Sequence, residues 1–350
     1  MASKIKTGIV GYGKSAKRFH LPILKALDGV KISAIVQRSG GEALEENPGS
    51  LIVKSLDELL ELDSVELVII TTPNNLHYEQ AKKCLEAGKH VIVEKPFTVR
   101  FDEADELRKL AESKDLILTV YHNRRWDGDF LSVKKLLEKD DLGRLVEFES
   151  NFNRFRNYQR PDSWKEKDTP GSGILYDLGS HLIDQSLQLF GKPDSLFADI
   201  RKQRDESLTD DYFQIILGYG SLKVTLNAGM LVPESSPRFV IRGVDGSFIK
   251  MGMDPQEDAL TNEKSVTDPD WGQEPQSMWG TLMIYENDKM YERSVETEPG
   301  RYQDFYLNVF NAIRGDEEIA VKPEEAAEVI RIIERCIESD KKQKVLSLED

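Results

Sequence analysis

The sequence predicts a doubly wound α/β domain with a parallel sheet, followed by an α+β domain whose sheet is mainly antiparallel. Three observations carry that expectation. Short uninterrupted Val/Ile runs alternate with helix-period segments through residues 5–120. From residue 145 onward, strand-like runs follow one another with few helices between them. The chain has 350 residues, more than the ~250–300 that a single core usually serves.

In chain order, apolar runs at 5–10, 30–36, 67–71, 90–93 and 116–120 read as strands. The helix-period segments at 14–27, 56–62, 78–87 and 102–114 fall between them. Continuous rather than alternating apolar strands are expected where helices cover both faces of a parallel sheet. After Tyr121 the rhythm changes, which places a nucleotide-type domain at residues 1–122 and a second domain at 123–350. In the latter, 130–138 and 175–190 read as helices, and 145–156, 195–201, 212–217, 222–226 and 238–241 read as strands. Residues 254–280, rich in Asp, Pro, Gln and Gly, read as a long loop. A final helix over 323–339 begins with proline in its first turn and is open to packing back on the first domain.

Composition narrows the function. With 47 Lys+Arg against 62 Asp+Glu the formal net charge is −15, which argues against nucleic acid, because phosphate-backbone binding is driven by clustered cations. No run of ~18 apolar residues predicts a membrane span, and no charged-then-apolar leader is visible, so a cytoplasmic enzyme is expected. Cys84 and Cys336 are far apart on helix-period segments and read as reduced, structural thiols. The histidines show no ligand-like spacing with Cys or Glu, so no metal is expected.

Gly11-Tyr12-Gly13-Lys14-Ser15-Ala16 follows one predicted strand and opens a predicted helix, the context in which a G-x-G-x-x-G/A pattern points to a dinucleotide. Gly11 permits the tight turn, Gly13 lets a pyrophosphate approach the backbone, and Ala16 still allows close helix–strand packing. Tyr12 and Ser15 lie in the same turn, at a helix N-terminus suited to an anion. After the second strand, Arg38 and Ser39 stand where an NAD site usually places a carboxylate against the ribose 2′-hydroxyl. A guanidinium fork there suits a 2′-phosphate, so NADP is expected, with NAD the less favoured cofactor. Thr71, Thr72, Pro73 and Asn74 end another strand, with His77 close behind as a positioning group, and all five are candidate nucleotide contacts. Glu94-Lys95-Pro96 ends a further strand, at the carboxyl edge where ligands of open α/β sheets bind. An ammonium at Lys95 can stabilise a developing alkoxide.

Residues 174–190 are apolar around most of a helix, yet Asp177, His181, Asp184 and Gln188 recur at spacings of four, three and four. They form one polar stripe, and burying such groups is costly unless they join a network or line a pocket. Asp177 one turn before His181 can orient the imidazole and stabilise its charged form, as a general base requires.

Taken together, the Gly-rich turn, ELVIITTPNNLHYEQAKKCLEAGKHVIVEKPF, YHNRRWDGDF and GILYDLGSHLIDQ resemble the Gfo/Idh/MocA oxidoreductase family over essentially the whole chain. VYHNRRWDGDF, LYDLGSHLIDQ, and GSFIK followed by GMDPQEDAL are similar to its NADP-dependent scyllo-inositol 2-dehydrogenases. The resemblance implies a Rossmann domain and an α+β domain with a large open sheet used for homodimer or homotetramer contacts. It also implies a catalytic set at Lys95, Asp177 and His181, and a substrate pocket reached by Asn123, Arg124, Asn153 and Tyr158. The reaction it implies is hydride transfer between a ring hydroxyl of a cyclic polyol and NADP. Another sugar or aldose dehydrogenase, or a dinucleotide-binding sensor without turnover, are the alternatives.

Overall fold

The computed structural model describes residues 3–160 and 163–348. The chain forms two compact units. The first comprises residues 1–126, 256–271 and 301–330, and the second residues 127–255, 272–300 and 331–350.

The first unit is built on six strands: β1 (Ile5–Val10), β2 (Val30–Val36), β3 (Leu51–Val53), β4 (Leu67–Ile70), β5 (His90–Val93) and β6 (Leu118–Val120). Their order is β3-β2-β1-β4-β5-β6 and every pairing is parallel, so the chain reverses direction across the sheet beside β1. Ile9, Ile35, Val68, Ile69 and Ile92 are wholly buried, as strands covered on both faces must be. Helices His77–Glu86 and Phe101–Ser113 pair on one another, and Tyr302–Arg314 joins this unit from late in the sequence.

The second unit carries nine strands: β7 (Leu145–Asn151), β8 (Ser195–Arg201), β9 (Tyr212–Tyr219), β10 (Leu222–Gly229), β11 (Pro237–Gly243), β12 (Gly246–Met251), β13 (Gly280–Glu286), β14 (Lys289–Val295) and β15 (Leu346–Ser347). They run β14-β13-β12-β11-β7-β10-β9-β8-β15, all antiparallel except β7 with β10. The expected fold class is therefore the observed one. One face is core: Phe213, Ile215 and Leu217 on β9 and Val224, Leu226 and Ala228 on β10 are fully buried. Tyr212, Gln214 and Ile216, pointing the other way by strand alternation, are half-buried.

Two readings change. The stretch 254–280 is not all loop, since it holds a helix at Gln256–Thr261 and a 3₁₀ turn at Gln276–Met278. Strands β12 to β14 and helix Tyr302–Arg314 extend the elements read from the sequence. Cys84 and Cys336 are buried free thiols, and burial pushes Cys84 up to about 12 and Cys336 higher still, so neither is a thiolate at neutral pH.

Candidate active site

β1 runs out at Val10, and Gly11 then takes φ +99°, a left-handed conformation that side chains disfavour. A Cβ on Gly11 would stand 3.1 Å from Thr71 Oγ1, whose hydroxyl bonds the Val10 and Gly11 carbonyls at 3.1 and 3.2 Å. Over Gly13 the situation is reversed: nothing lies within 4 Å of an added Cβ. This bare stretch of backbone, opening into a helix, is the cradle a pyrophosphate needs, so the residues present fit a dinucleotide.

The turn is tied down on both sides. Tyr12 donates its hydroxyl to Glu46 Oε2 at 2.5 Å and accepts from Asn47 Nδ2 at 2.8 Å, while Lys17 reaches Glu46 Oε1 at 2.8 Å. After β2, buried Gln37 holds Glu42 and the Ala43 N–H, which leaves Arg38 and Ser39 exposed immediately beyond the strand end. Pro73 and buried Asn74 lead into the helix that starts at His77. Thr72 bonds Gln80 at 2.7 Å. His77 is buried, with Nδ1 2.9 Å from the Pro96 carbonyl and Nε2 2.9 Å from the Thr72 carbonyl. Burial pushes its pKa down, against the pull of the two carbonyls, and the ring sits between the segment after β4 and the segment after β5. That is a positioning role.

Ser15 spends its hydroxyl on Glu94 Oε1, which also meets His20 Nε2 at 3.0 Å. His20 Nδ1 in turn faces the Tyr306 hydroxyl at 2.5 Å, and Tyr121 stacks at 4.4 Å between ring centroids. Glu94 Oε2 accepts the backbone N–H of Lys95 at 3.0 Å. The helix of the Gly-rich turn is thus bonded directly to the strand end that presents Lys95, and the Lys95–Pro96 bond is cis. Burial opposes the Glu94 charge, but His20, Ser15 and the Lys95 ammonium outweigh it and hold the carboxyl down at about 2.

A depressed carboxyl contributes stability that is present above its unfolded pKa and lost as pH falls through the folded one. Glutamine mimics the protonated acid, so Glu94→Gln is expected to lower unfolding free energy at pH 7 by about 3 kcal/mol. It should also flatten the acid limb between about pH 4.5 and 2. Urea melts across that range check both effects; an unchanged midpoint at pH 7 would remove Glu94 from the account of stability.

Asn123 and Arg124 also belong to the first unit, both buried on a 3₁₀ turn at Asn123–Trp126. Arg124 Nη2 bonds Glu257 Oε2 at 2.7 Å, so its charge is countered within the fold.

In the second unit the polar stripe lies on a helix that begins with a π turn, Leu175–Gly179, and continues as α-helix Ser180–Phe190. A π turn also opens the helix of the Gly-rich motif, at Ala16–His20. Such turns are frequent at functional sites. Asp210 Oδ2 accepts the Leu175 N–H at 2.7 Å and caps the second of them, and burial pushes its carboxyl up to about 6. Asp177, in the π turn, accepts Lys165 Nζ at 2.6 Å. His181 is 5 % exposed, and Asp184 and Gln185 behind it are buried. Gln185 holds Arg238 Nη2 at 2.7 Å, and that guanidinium also bonds Ser150 at 2.5 Å with Asp129 at 3.5 Å. Asn153 donates to Ser236 at 3.2 Å, and Tyr158 is an exposed aromatic on the chain leaving β7.

The sequence-derived site residues therefore divide. Gly11, Tyr12, Gly13, Ser15, Arg38, Ser39, Thr71, Thr72, Pro73, Asn74, His77, Glu94, Lys95, Asn123 and Arg124 lie in the first unit, and Asn153, Tyr158, Asp177 and His181 in the second. Sequence reasoning missed Lys165, Glu257, His20, Tyr306 and Asp210; of these, His20 lies five residues beyond Ser15 and Glu257 lies within GMDPQEDAL. Among the described residues, no group of three or more His, Cys, Asp or Glu side chains is arranged to hold a metal, and no helix is long and apolar enough to cross a membrane.

Comparison with known proteins matches two domains that follow one another along the sequence. Residues 5–122 match the oxidoreductase family's NAD-binding Rossmann fold, and residues 134–348 match the same family's C-terminal alpha/beta domain. The chain is 41 % identical over 345 residues to scyllo-inositol 2-dehydrogenase (NADP(+)) IolW of Bacillus subtilis, covering 99 % of this chain and 96 % of that one. It is 40 % identical to the uncharacterised oxidoreductase YdgJ of Escherichia coli, covering 99 % and 100 %. Among solved structures, the oxidoreductase yvaA from Bacillus subtilis superposes with a TM-score of 0.96 at 40 % identity, covering 99 % of each chain. With a Gly-rich turn shaped for a dinucleotide and both halves matched, the chain belongs to the Gfo/Idh/MocA family of oxidoreductases.

Proposed function

We propose that this oxidoreductase interconverts a ring hydroxyl of a cyclic polyol, scyllo-inositol foremost, and the corresponding ketone, using NADP. The observation that carries the reading is the near-complete burial of His181, one turn after Asp177, on a helix whose polar stripe is set among apolar residues. The 41 % identical relative, whose name states both that substrate and NADP, gives the reading its substrate class. The Arg124–Glu257 pair fits it too, because a countered guanidinium suits a neutral polyol better than an anion.

When bound, NADP supplies the hydride acceptor. The Gly11–Gly13 backbone and the ends of β2 and β4 are the surfaces that would hold it. His181 takes the proton of the hydroxyl being oxidised, and Lys95 donates a hydrogen bond to the oxygen as negative charge develops. Asp177 supports the imidazolium, and its partner Lys165 moderates that support. The test is direct: purified protein is titrated with NADPH and NADH by fluorescence, then inositols and hexoses are screened for absorbance change at the nicotinamide band. Turnover of hexoses without any inositol would replace the polyol reading with an aldose one. Nucleotide binding with no turnover of either class would leave a sensor.

Arg38→Ala is expected to weaken NADPH binding by roughly 10- to 100-fold, the worth of one charge-assisted hydrogen bond, and to leave NADH binding nearly unchanged. Equal losses for the two nucleotides would remove Arg38 from cofactor choice.

We further infer that copies associate through the open face of the nine-stranded sheet. Half-buried Phe197, Ile216 and Ile249 lie on it, bordered by the Arg242–Glu147 and Lys223–Glu147 pairs at 2.6 and 2.7 Å. Sedimentation equilibrium of the wild type and Ile216→Arg checks this; a monomeric wild type would end it.

A further inference from the structure

Arg38 and Ser39, the two side chains that favour NADP, stand on a loop that runs directly into a short helix, Glu42–Glu46, with three carboxylates among its five residues. Carboxylates so close in sequence to an expected 2′-phosphate oppose its binding unless they are engaged elsewhere. Two of them are. Glu42 Oε2 accepts Gln37 Nε2 at 2.7 Å, and Gln37 Oε1 accepts the Ala43 N–H at 3.1 Å. Buried Gln37 thereby closes residues 38–41 into a tight loop, in which Gly40 takes φ +84°, a conformation that side chains disfavour. The loop is fastened to the helix, so Arg38 and Ser39 go where the helix goes.

The other end of that helix is held from the Gly-rich turn. The Tyr12 hydroxyl donates to Glu46 Oε2 at 2.5 Å and accepts from Asn47 Nδ2 at 2.8 Å. Asn47 is buried, and the same amide nitrogen donates back to the Ala43 carbonyl at 3.2 Å, inside the helix. Two lysines add to the junction. Lys17 Nζ meets Glu46 Oε1 at 2.8 Å and stands 5.1 Å from the centre of the Tyr12 ring, while Lys25 Nζ donates to the Glu46 carbonyl at 3.1 Å. Both lysines are exposed, and exposed ion pairs contribute little, so the tie with a buried partner is the one through Tyr12. Burial, and then the Glu46 contact, pushes the Tyr12 phenol above its usual value, which keeps it a donor at neutral pH. Lys17 and then Tyr12 hold the Glu46 carboxyl below the usual carboxylate range.

We propose that Tyr12 is a positioning residue for cofactor choice: its hydroxyl latches the helix Glu42–Glu46 to the Gly-rich turn and so sets Arg38 and Ser39 relative to the pyrophosphate cradle. The inference rests on the NADP reading. Two effects of the latch have the same sign. It places the guanidinium fork, and it occupies a carboxylate that would otherwise oppose the 2′-phosphate. NADH has no such phosphate and needs the cradle and the strand ends alone, which makes it the internal control.

The test is a fluorescence titration of the full chain with NADPH and with NADH, in the wild type, Tyr12→Phe, Arg38→Ala and the double variant. The quantity read is the ratio of the two dissociation constants. Tyr12→Phe keeps the ring beside Lys17 and loses only the hydroxyl, so it should lower the preference for NADPH by roughly three- to tenfold, the worth of one hydrogen bond, with NADH affinity nearly unchanged. In the Arg38→Ala background the same change should have little further effect on the ratio, because the latch then has no guanidinium to place. An unchanged ratio in Tyr12→Phe, equal losses for the two nucleotides, or full additivity with Arg38→Ala would each overturn the latch. A preference that survives Tyr12→Phe and is lost in Arg38→Ala would overturn the latch alone and keep the NADP reading. A wild type that binds both nucleotides equally would remove the NADP reading and the latch with it.

Discussion

Replacing Lys95 by alanine is expected to lower turnover by roughly two to three orders of magnitude, the usual cost of deleting one donor to a developing oxyanion. Cofactor affinity should stay nearly intact. The contrast follows from where the residue sits: Lys95 is the second residue beyond β5, and its backbone N–H is fixed by Glu94 Oε2 at 3.0 Å, independently of its side chain. Losing the ammonium therefore leaves the strand end in place and removes an interaction that matters most as the alkoxide forms, so kcat falls more than KM rises. Lys95→Arg should not restore activity, because a guanidinium has a different shape and does not give up its proton. Steady-state kinetics beside an NADPH titration read both quantities. Near-normal turnover in Lys95→Ala would reduce the lysine to a structural or phosphate contact.

Loss of the imidazole in His181→Ala should cost roughly 10²- to 10⁴-fold and abolish a pH limb. In the wild type, polyol oxidation should rise with pH where a histidine titrates, since only neutral imidazole accepts the hydroxyl proton. The neighbours fix the sign of two further changes. Asp177→Asn removes a negative charge and leaves the Lys165 ammonium uncompensated, which disfavours imidazolium and moves the limb to lower pH. Lys165→Met removes the positive partner and moves the limb up. Asp210, raised by burial to about 6, titrates in the same range and is the natural confounder in this unit. Its carboxyl caps Leu175, so Asp210→Asn should lower stability or rate without displacing the limb. A limb that vanishes in Asp210→Asn and survives in His181→Ala would transfer the titration from the histidine to the aspartate.

The parallel sheet was legible because short Val/Ile runs such as 67–70 and 90–93 alternate with helix-period segments, the pattern of strands covered on both faces. β3 escaped notice: only Val53 of its three residues is buried, too little for any periodicity to register. β14 was hidden for the opposite reason, since six of its seven residues are exposed and the strand carries no apolar alternation. The two ends of the proposed chemistry were readable because a Gly-rich turn and a polar stripe holding Asp177 and His181 on a mainly apolar segment are local patterns. Their supports were not. His20 and Tyr306 meet across 286 positions, and Arg124 and Glu257 across 133, with the glutamate in a stretch read as loop. Lys165 reaches Asp177 from a short 3₁₀ turn whose place no side-chain period announces. Local pattern revealed the presenting residues, whereas long-range packing chose their partners.

The π turns at Ala16–His20 and Leu175–Gly179 have a consequence for how the chain can change length. Each holds about one residue more per turn than the α-helix that continues it, and so behaves as an insertion kept in place by its surroundings. Loss of a single codon in the middle of an α-helix rotates everything beyond it by about 100° and ruins the buried face. The same loss inside a π turn lets the backbone fall back to α-helical pitch, with the sheets on either side undisturbed. The residues displaced would be those of the turn itself, His20 in one case and Asp177 in the other. At these two places a one-residue deletion can spare the architecture and remove the chemistry.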